Sequence, residues 1–234
     1  MHIPGFFWLV LPCAAVLHIT GGLLLVEALH LSDLSLCTPM VAFSPVFLLA
    51  IGPLITGDTP SSQGIIGALL VASGSYVLNV GHARHGLLAP LQALFRERGA
   101  RIMLGLALLW SVTGSIDRVI VQSIDPYFWA CAQILAISIL LAPIVIHQRA
   151  LRGGISLRSF GVLGVIGGFN ALSLITYLIA LSAAPVHYVI CLKRSSILFS
   201  VILGRLLFSE GFVGARLLGA LLMLVGVVVI SLSP

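Results

Sequence analysis

The 234 residues are 59% hydrophobic and only 8% charged, against the roughly one quarter of charged residues that keeps a soluble domain dispersed, so a soluble fold is excluded. The net charge of +5 does not point to nucleic acid, because the basic residues outside the apolar runs sit in short loops beside predicted helix ends. There they read as topology signals and contacts to anionic lipid. The apolar runs are continuous rather than alternating in polarity, which excludes a β-barrel and leaves an all-α transmembrane fold.

Runs of about 20 apolar residues, each long enough to cross a hydrocarbon core of about 30 Å, recur through the chain. The first is predicted over residues 5 to 27; it lacks a basic n-region and leads straight into further spans, so it reads as a retained helix and not a cleaved signal peptide. His18 falls near its middle and Glu27 near its inner end, with His30 and Asp33 following, where a solvated helix end is expected. The second span, residues 35 to 56, carries Pro39, Pro45 and Pro53, which remove backbone donors and should kink or loosen it. Interrupted helices line the pathway in many transporters.

A third span over 63 to 80 precedes the longest polar break, residues 81 to 101, which holds Arg84, Arg96, Arg98 and Arg101 with Pro90 and Gly99 as expected helix breakers. The fourth span, 102 to 121, ends near Asp117 and Arg118, a pair expected to reach headgroup water by snorkelling. The fifth covers 127 to 146. The sixth, 158 to 181, carries Gly161, Gly164 and Gly168, a stripe expected to pack closely, and one inner polar residue, Asn170. The seventh, 186 to 208, contains His187, Tyr188, Lys193 and Arg194, and the eighth runs over 213 to 232. About eight spanning helices result.

Loop parity places the break at 81 to 101 on the same side as the loop 147 to 158, with Arg149, Arg152 and Arg158, and as the turn before Arg216; the opposite loops hold no Lys or Arg. The arginine-bearing side is therefore expected to be cytoplasmic, in a plasma or inner membrane, with both termini outside. Cys13, Cys37, Cys131 and Cys191 lie in apolar runs without metal-ligand spacing and predict free, buried thiols, no disulfide framework and no metal site. No His-Glu-x-x-His, Gly-x-Ser-x-Gly or phosphate-binding loop is present, so neither an enzyme nor a cofactor is predicted.

The chain matches itself at an offset of 152 residues: Gly52, Asp58, Gly67, Ala68, Leu69, Leu70 and Gly74 meet Gly204, Glu210, Gly219, Ala220, Leu221, Leu222 and Gly226 without a gap. Upstream the register continues through Ser44 against Ser196 and Phe47 against Phe199. An acidic residue before a helix favours its N-terminus, and glycines seven apart on one face let backbones approach closely. The matching helices are five places apart in the order of spans, an odd number, so the two copies cross in opposite directions. Inverted repeats of this kind are typical of secondary transporters.

The segment Lys193-Arg194-Ser195-Ser196-Ile197-Leu198-Phe199 through Gly204, Phe208 and Glu210 to Gly219 and Gly226, doubled by Phe43-Ser44-Pro45-Val46-Phe47 to Asp58, Gly67 and Gly74, resembles the drug/metabolite transporter superfamily, EamA type. The resemblance covers nearly the whole chain. It implies helices in two five-helix repeats that move a small metabolite. Here residues 1–80 form an incomplete first repeat of three helices, 81–101 a basic linker and 102–234 a five-helix second repeat. The two helices short of the pattern leave open a truncated start, a homodimer or a partner chain that supplies them, or a reduced form.

Lys193 and Arg194 lie within a span, where a charge costs roughly 2.5 to 3.5 kcal/mol, so they should face a cavity or be paired. Their counterparts under the offset are Val41 and Ala42, and such an asymmetric charge suits an anion site; snorkelling is the alternative. Phosphate-translocating relatives in the superfamily place a Lys-Arg pair in this helix. His187 shares the face of Arg194, and with Tyr188 either contacts substrate or anchors the interface. His18 falls on Asn170 under the offset, which suggests a shared cavity lining or a hydrogen bond between them; His18 is also a candidate proton site. The expected function is a permease in the lipid bilayer moving a small, possibly anionic metabolite by alternating access. The alternative is a non-autonomous membrane subunit that needs a partner chain.

Overall fold

The computed structural model describes residues 5–32, 38–80, 89–147, 157–194, 196, 199 and 214–232. Asp33, Cys37, Arg84, Arg149, Arg152, Ser195, Gly204, Phe208 and Glu210, on which parts of the sequence reading fall, lie outside the described residues. The elements in order are α1 (Phe7–Leu31), a 3-10 segment (Thr38–Phe43), α2 (Ser44–Thr56), α3 (Ser62–Val80), α4 (Ala89–Arg96), α5 (Arg98–Val121), α6 (Pro126–His147), α7 (Leu157–Ala183), α8 (Val186–Arg194) and α9 (Gly214–Ser231). Among the described residues there is no strand, and the fold is an all-α membrane bundle. Five segments, Phe7–Leu31, Pro39–Thr56, Arg98–Val121, Pro126–Pro143 and Gly161–Ala183, are long and apolar enough to cross a membrane, while Ser62–Leu78 and Leu218–Ser231 are apolar but shorter.

The side-chain distribution is that of a protein dissolved in hydrocarbon. Large apolar groups such as Leu9, Leu54 and Ile139 face outward, whereas Ser44, Ser111, Asp117 and Gln133 are buried. Lipid tails are as apolar as leucine, so helix association rests on close packing and hydrogen bonds.

Two compact units are formed, one of Met1–Thr20 with Ile116–Ala183 and the other of Gly21–Ser115 with Ala184–Pro234; α1 and α5 each contribute to both. In the second unit α3 and α9 run antiparallel in near backbone contact. A Cβ placed on Gly67 would lie 2.8 Å from the Gly226 carbonyl oxygen, and one on Gly74 would lie 2.6 Å from that of Gly219. Under the 152-residue offset the pair Gly67/Gly226 becomes Gly219/Gly74, so the two contacts exchange with one another. Ala68, Val71, Leu78, Cys191 and Met223 close around this crossing.

Several local expectations are corrected. The break at 81 to 101 carries α4, with Pro90 in its first turn, where a missing N–H costs no helical bond. Gly99 does not break a helix either; it lies in the first turn of α5, where its N–H donates to Ser32 Oγ at 3.2 Å and a Cβ would lie 2.7 Å from the Ala28 carbonyl. Glu27 is exposed, as expected of a solvated helix end, and lies 3.5 Å from Arg98. Both partners are largely exposed, so the pair contributes about 0–1 kcal/mol at most.

The glycine stripe of α7 is a further case. Every residue from Gly161 to Asn170 is exposed, and a Cβ on Gly161, Gly164 or Gly168 would meet nothing within 4 Å. The expected packing face has no partner among the described residues. Of the cysteines, Cys191 is buried as expected but Cys13 and Cys131 are exposed free thiols. An apolar run specifies a membrane helix without saying which side faces lipid.

Candidate functional site

The second unit holds a polar node at the interruption of the second span. Pro45 stands at the start of α2 and has no N–H to give to the Val41 carbonyl four residues earlier. The Ser44 hydroxyl donates to that carbonyl instead. The Ser44 carbonyl accepts from Ser111 Oγ at 3.1 Å, and the Ser44 hydroxyl oxygen accepts from the Arg194 guanidinium. Ser44, next to the proline that loosens the span, thus supplies both acceptors that bind α5 and α8 to it. Gly57, with φ of 74°, ends α2 in a left-handed cap, a conformation that favours glycine.

Arg194 is half-buried at this node, and among the described residues no carboxylate lies within ion-pair reach of it. Lys193, the adjacent position about 100° round the helix, is exposed. His187 is buried, packed edge-on at 4.2 Å against Tyr188. The Tyr188 hydroxyl lies 3.1 Å from Ser61 Oγ, and its ring fills the space over Gly64. Tyr188 thus fastens the start of α8 to the turn between α2 and α3. An apolar cavity of about 310 Å³ in this unit, between Phe43, Leu69, Tyr76 and Leu91, is lined by none of these four predicted residues.

The first unit holds a second polar cluster, centred on Asp117. Its side chain is 2% exposed, not snorkelled outward as expected. Oδ1 accepts from Trp129 Nε1 at 3.0 Å and from Gln133 Nε2 at 2.8 Å, and Oδ2 lies 3.9 Å from His18 Nε2. Arg118, also buried, donates to the Leu181 carbonyl at the end of α7. Donors on α6 make burial of the carboxylate tolerable, since a buried charge costs several kcal/mol unless paired or hydrogen-bonded. Sequence reasoning placed both charges near an outer helix end; the missed signal was Gln133 and Trp129, polar atoms one turn apart on α6.

His18 and Asn170 are not hydrogen-bonded to one another: His18 is engaged with Ala14 and Asp117, and Asn170 lies exposed on α7. Among the described residues no three His, Cys, Asp or Glu side chains converge as metal ligands would.

Residues 98–232 match the EamA-like transporter family. The chain belongs to that family. Its members are transporters, and the chain is accordingly a multi-pass integral membrane protein of the drug/metabolite transporter type. Lys193, Arg194, His187, Tyr188 and Asn170 lie within the matched region; His18 precedes it. A solved structure titled only as a crystal structure of a protein is similar over 99% of this chain and 79% of its own, at 18% identity and a TM-score of 0.76. That likeness concerns the fold alone. No curated protein matches the chain.

Proposed function

We propose that this transporter moves a small anionic metabolite by alternating access of two inverted repeats, residues 1–80 and 102–234, with Arg194 as the anion contact. The observation that carries the anionic reading is the Arg194 node. A guanidinium half-buried in an apolar bundle, held by a serine hydroxyl and with no carboxylate in reach among the described residues, is one whose charge an arriving carboxylate or phosphate would balance. Its position at a span interrupted by proline suits a pathway lining. The exchange of the two glycine contacts under the 152-residue offset supports the inverted repeat. His187 and Tyr188 on the same helix, and Lys193, serve as secondary contacts, and His18 and Asn170 as further polar groups of the pathway. The arginine-bearing loops face the cytoplasm.

Proteoliposome uptake over a panel of anionic, zwitterionic and cationic metabolites tests this. Arg194→Ala should lower uptake of the anionic substrate at least about tenfold, the loss that ~1.4 kcal/mol represents. Lys193→Ala should lower it less. Uptake confined to cations, or unchanged in Arg194→Ala, counts against the anion site.

A second reading, that the chain works with a partner, is favoured by one observation. Residues 161–170 of α7 are all exposed, whereas the stretch of α1 that the offset lays on them is packed through Ala14 and Ala15. Mass measurement in lipid nanodiscs decides: a monomer that transports alone removes this reading.

A further inference from the structure

The apolar cavity of the second unit takes no part in the Arg194 node. Its walls come from the break in the second span around Phe43, from one face of α3 and from Leu91 of α4, and Phe43 and Tyr76 meet edge-on at 6.0 Å. Of the lining side chains only Ser73 and Tyr76 carry a polar atom, and both are engaged within the protein. The Ser73 hydroxyl donates to the Leu70 carbonyl at 3.0 Å, and the Tyr76 hydroxyl is hydrogen-bonded to the Leu91 backbone. A polar metabolite entering this cavity would lose its water without finding partners. A hydrocarbon chain makes close contact there and leaves no polar group unsatisfied.

The dimensions point the same way. Leu69 and Val77 mark the two ends of the α3 face, about 12 Å apart along the helix axis. That length approaches the ~15 Å hydrocarbon depth of one leaflet, half of the core thickness. The volume of about 310 Å³ reaches the lower end of the range for small-ligand pockets.

Helix α4 supplies a place for a headgroup. Leu91 and Phe95, one turn apart, share a face; Leu91 lines the cavity and Phe95 is 89% exposed. Gln92 and Arg96, also one turn apart, are exposed on another face. A helix divided in this way lies at the boundary between headgroups and acyl chains. The nearby carboxylates are engaged elsewhere: Glu97 accepts from Ser32 Oγ at 2.9 Å, and Glu27 lies 3.5 Å from Arg98. Arg96 forms no ion pair among the described residues, and it stands about 7.5 Å along the helix from Leu91, where a basic side chain attracts anionic lipid.

We propose that this cavity binds one acyl chain of an anionic phospholipid, whose phosphate pairs with Arg96. The site stands apart from the transport proposed above and is tested without it.

The protein is reconstituted with equimolar phosphatidylglycerol and phosphatidylcholine of identical acyl chains, extracted in mild detergent, and its retained lipid counted by native mass spectrometry. One phospholipid per chain should remain, with phosphatidylglycerol favoured. Ser73→Phe, which fills the cavity from an exposed position, should lower the retained fraction at least about tenfold; Val77→Phe repeats the test from the other end of the face should Ser73→Phe not fold. Ile139→Phe, on an outward-facing position of α6, should change nothing. Arg96→Gln should keep a lipid and erase the preference for phosphatidylglycerol. A photoreactive group on the acyl chain should label the stretch from Leu69 to Val77. No retained lipid, or retention unchanged in both filling variants, overturns the cavity as a lipid site. Equal retention of the two lipids by the wild type, or a preference that persists in Arg96→Gln, overturns the headgroup contact. Displacement of the phospholipid by equimolar oleic acid overturns the phospholipid assignment in favour of a free fatty acid.

Discussion

Ser44 shows how one side chain gathers several demands. Its hydroxyl serves the Val41 carbonyl left open by Pro45 and accepts from Arg194, while its carbonyl receives Ser111. Ser44→Ala should therefore leave a buried carbonyl and a guanidinium short of partners and lower stability by about 1–3 kcal/mol, read as a lower unfolding midpoint in detergent. Gln133→Leu removes a donor from a buried carboxylate and should be destabilising by a similar amount, whereas Arg98→Ala, which loses only an exposed pair with Glu27, should change stability by less than about 1 kcal/mol. Equal midpoints for these variants would contradict the assignment of the buried nodes. From the sequence, Lys193 and Arg194 were visible as charges inside a span, and adjacent positions on a helix point apart. Which of them is half-buried was not visible, because that depends on where α2 is interrupted. Asp117 was misread for the same reason: its donors lie 12 and 16 residues away on another helix.

At the scale of the element, glycines that look alike in sequence divide into two kinds. Gly67, Gly74, Gly219 and Gly226 bring α3 and α9 together so closely that an added Cβ would come within 3.0 Å of backbone atoms, whereas Gly161, Gly164 and Gly168 face open space. Gly74→Ala should force the pair apart and cost about 1–3 kcal/mol, while Gly164→Ala should leave stability within about 0.5 kcal/mol and raise helix propensity. Denaturant titration of both variants checks this, and an insensitive Gly74→Ala would overturn the close crossing. Helix positions were legible because a run of about 20 apolar residues has one common outcome in a bilayer. The 3-10 start of the second span and helix α4 within the polar break were not, since both depend on local proline placement and not on hydropathy.

For the whole molecule, orientation is the property most open to measurement. The arginines of the break at 81 to 101 and of the loop 147 to 158 are expected on the cytoplasmic side, so a reporter fused at the C-terminus should be active only outside the cytoplasm. A cytoplasmic C-terminus would invert the assignment of sides. The exposed thiols Cys13 and Cys131 should resist water-soluble reagents while buried in lipid and react with membrane-permeant ones.

By itself the sequence determined the solvent, the element type, the approximate spans and, through the 152-residue offset and the segment around Lys193 and Arg194, the transporter resemblance that the family match bears out over residues 98–232. These follow from composition and order along one chain, where hydrophobic length and periodicity act locally. Only the tertiary structure decided which glycines carry packing, that Arg194 binds the broken second span through Ser44, and that Asp117 is buried against α6 with His18 facing it. In a medium as apolar as the side chains themselves, hydrophobicity cannot choose a helix's inner face; that choice rests on hydrogen bonds and close contacts between segments far apart in sequence.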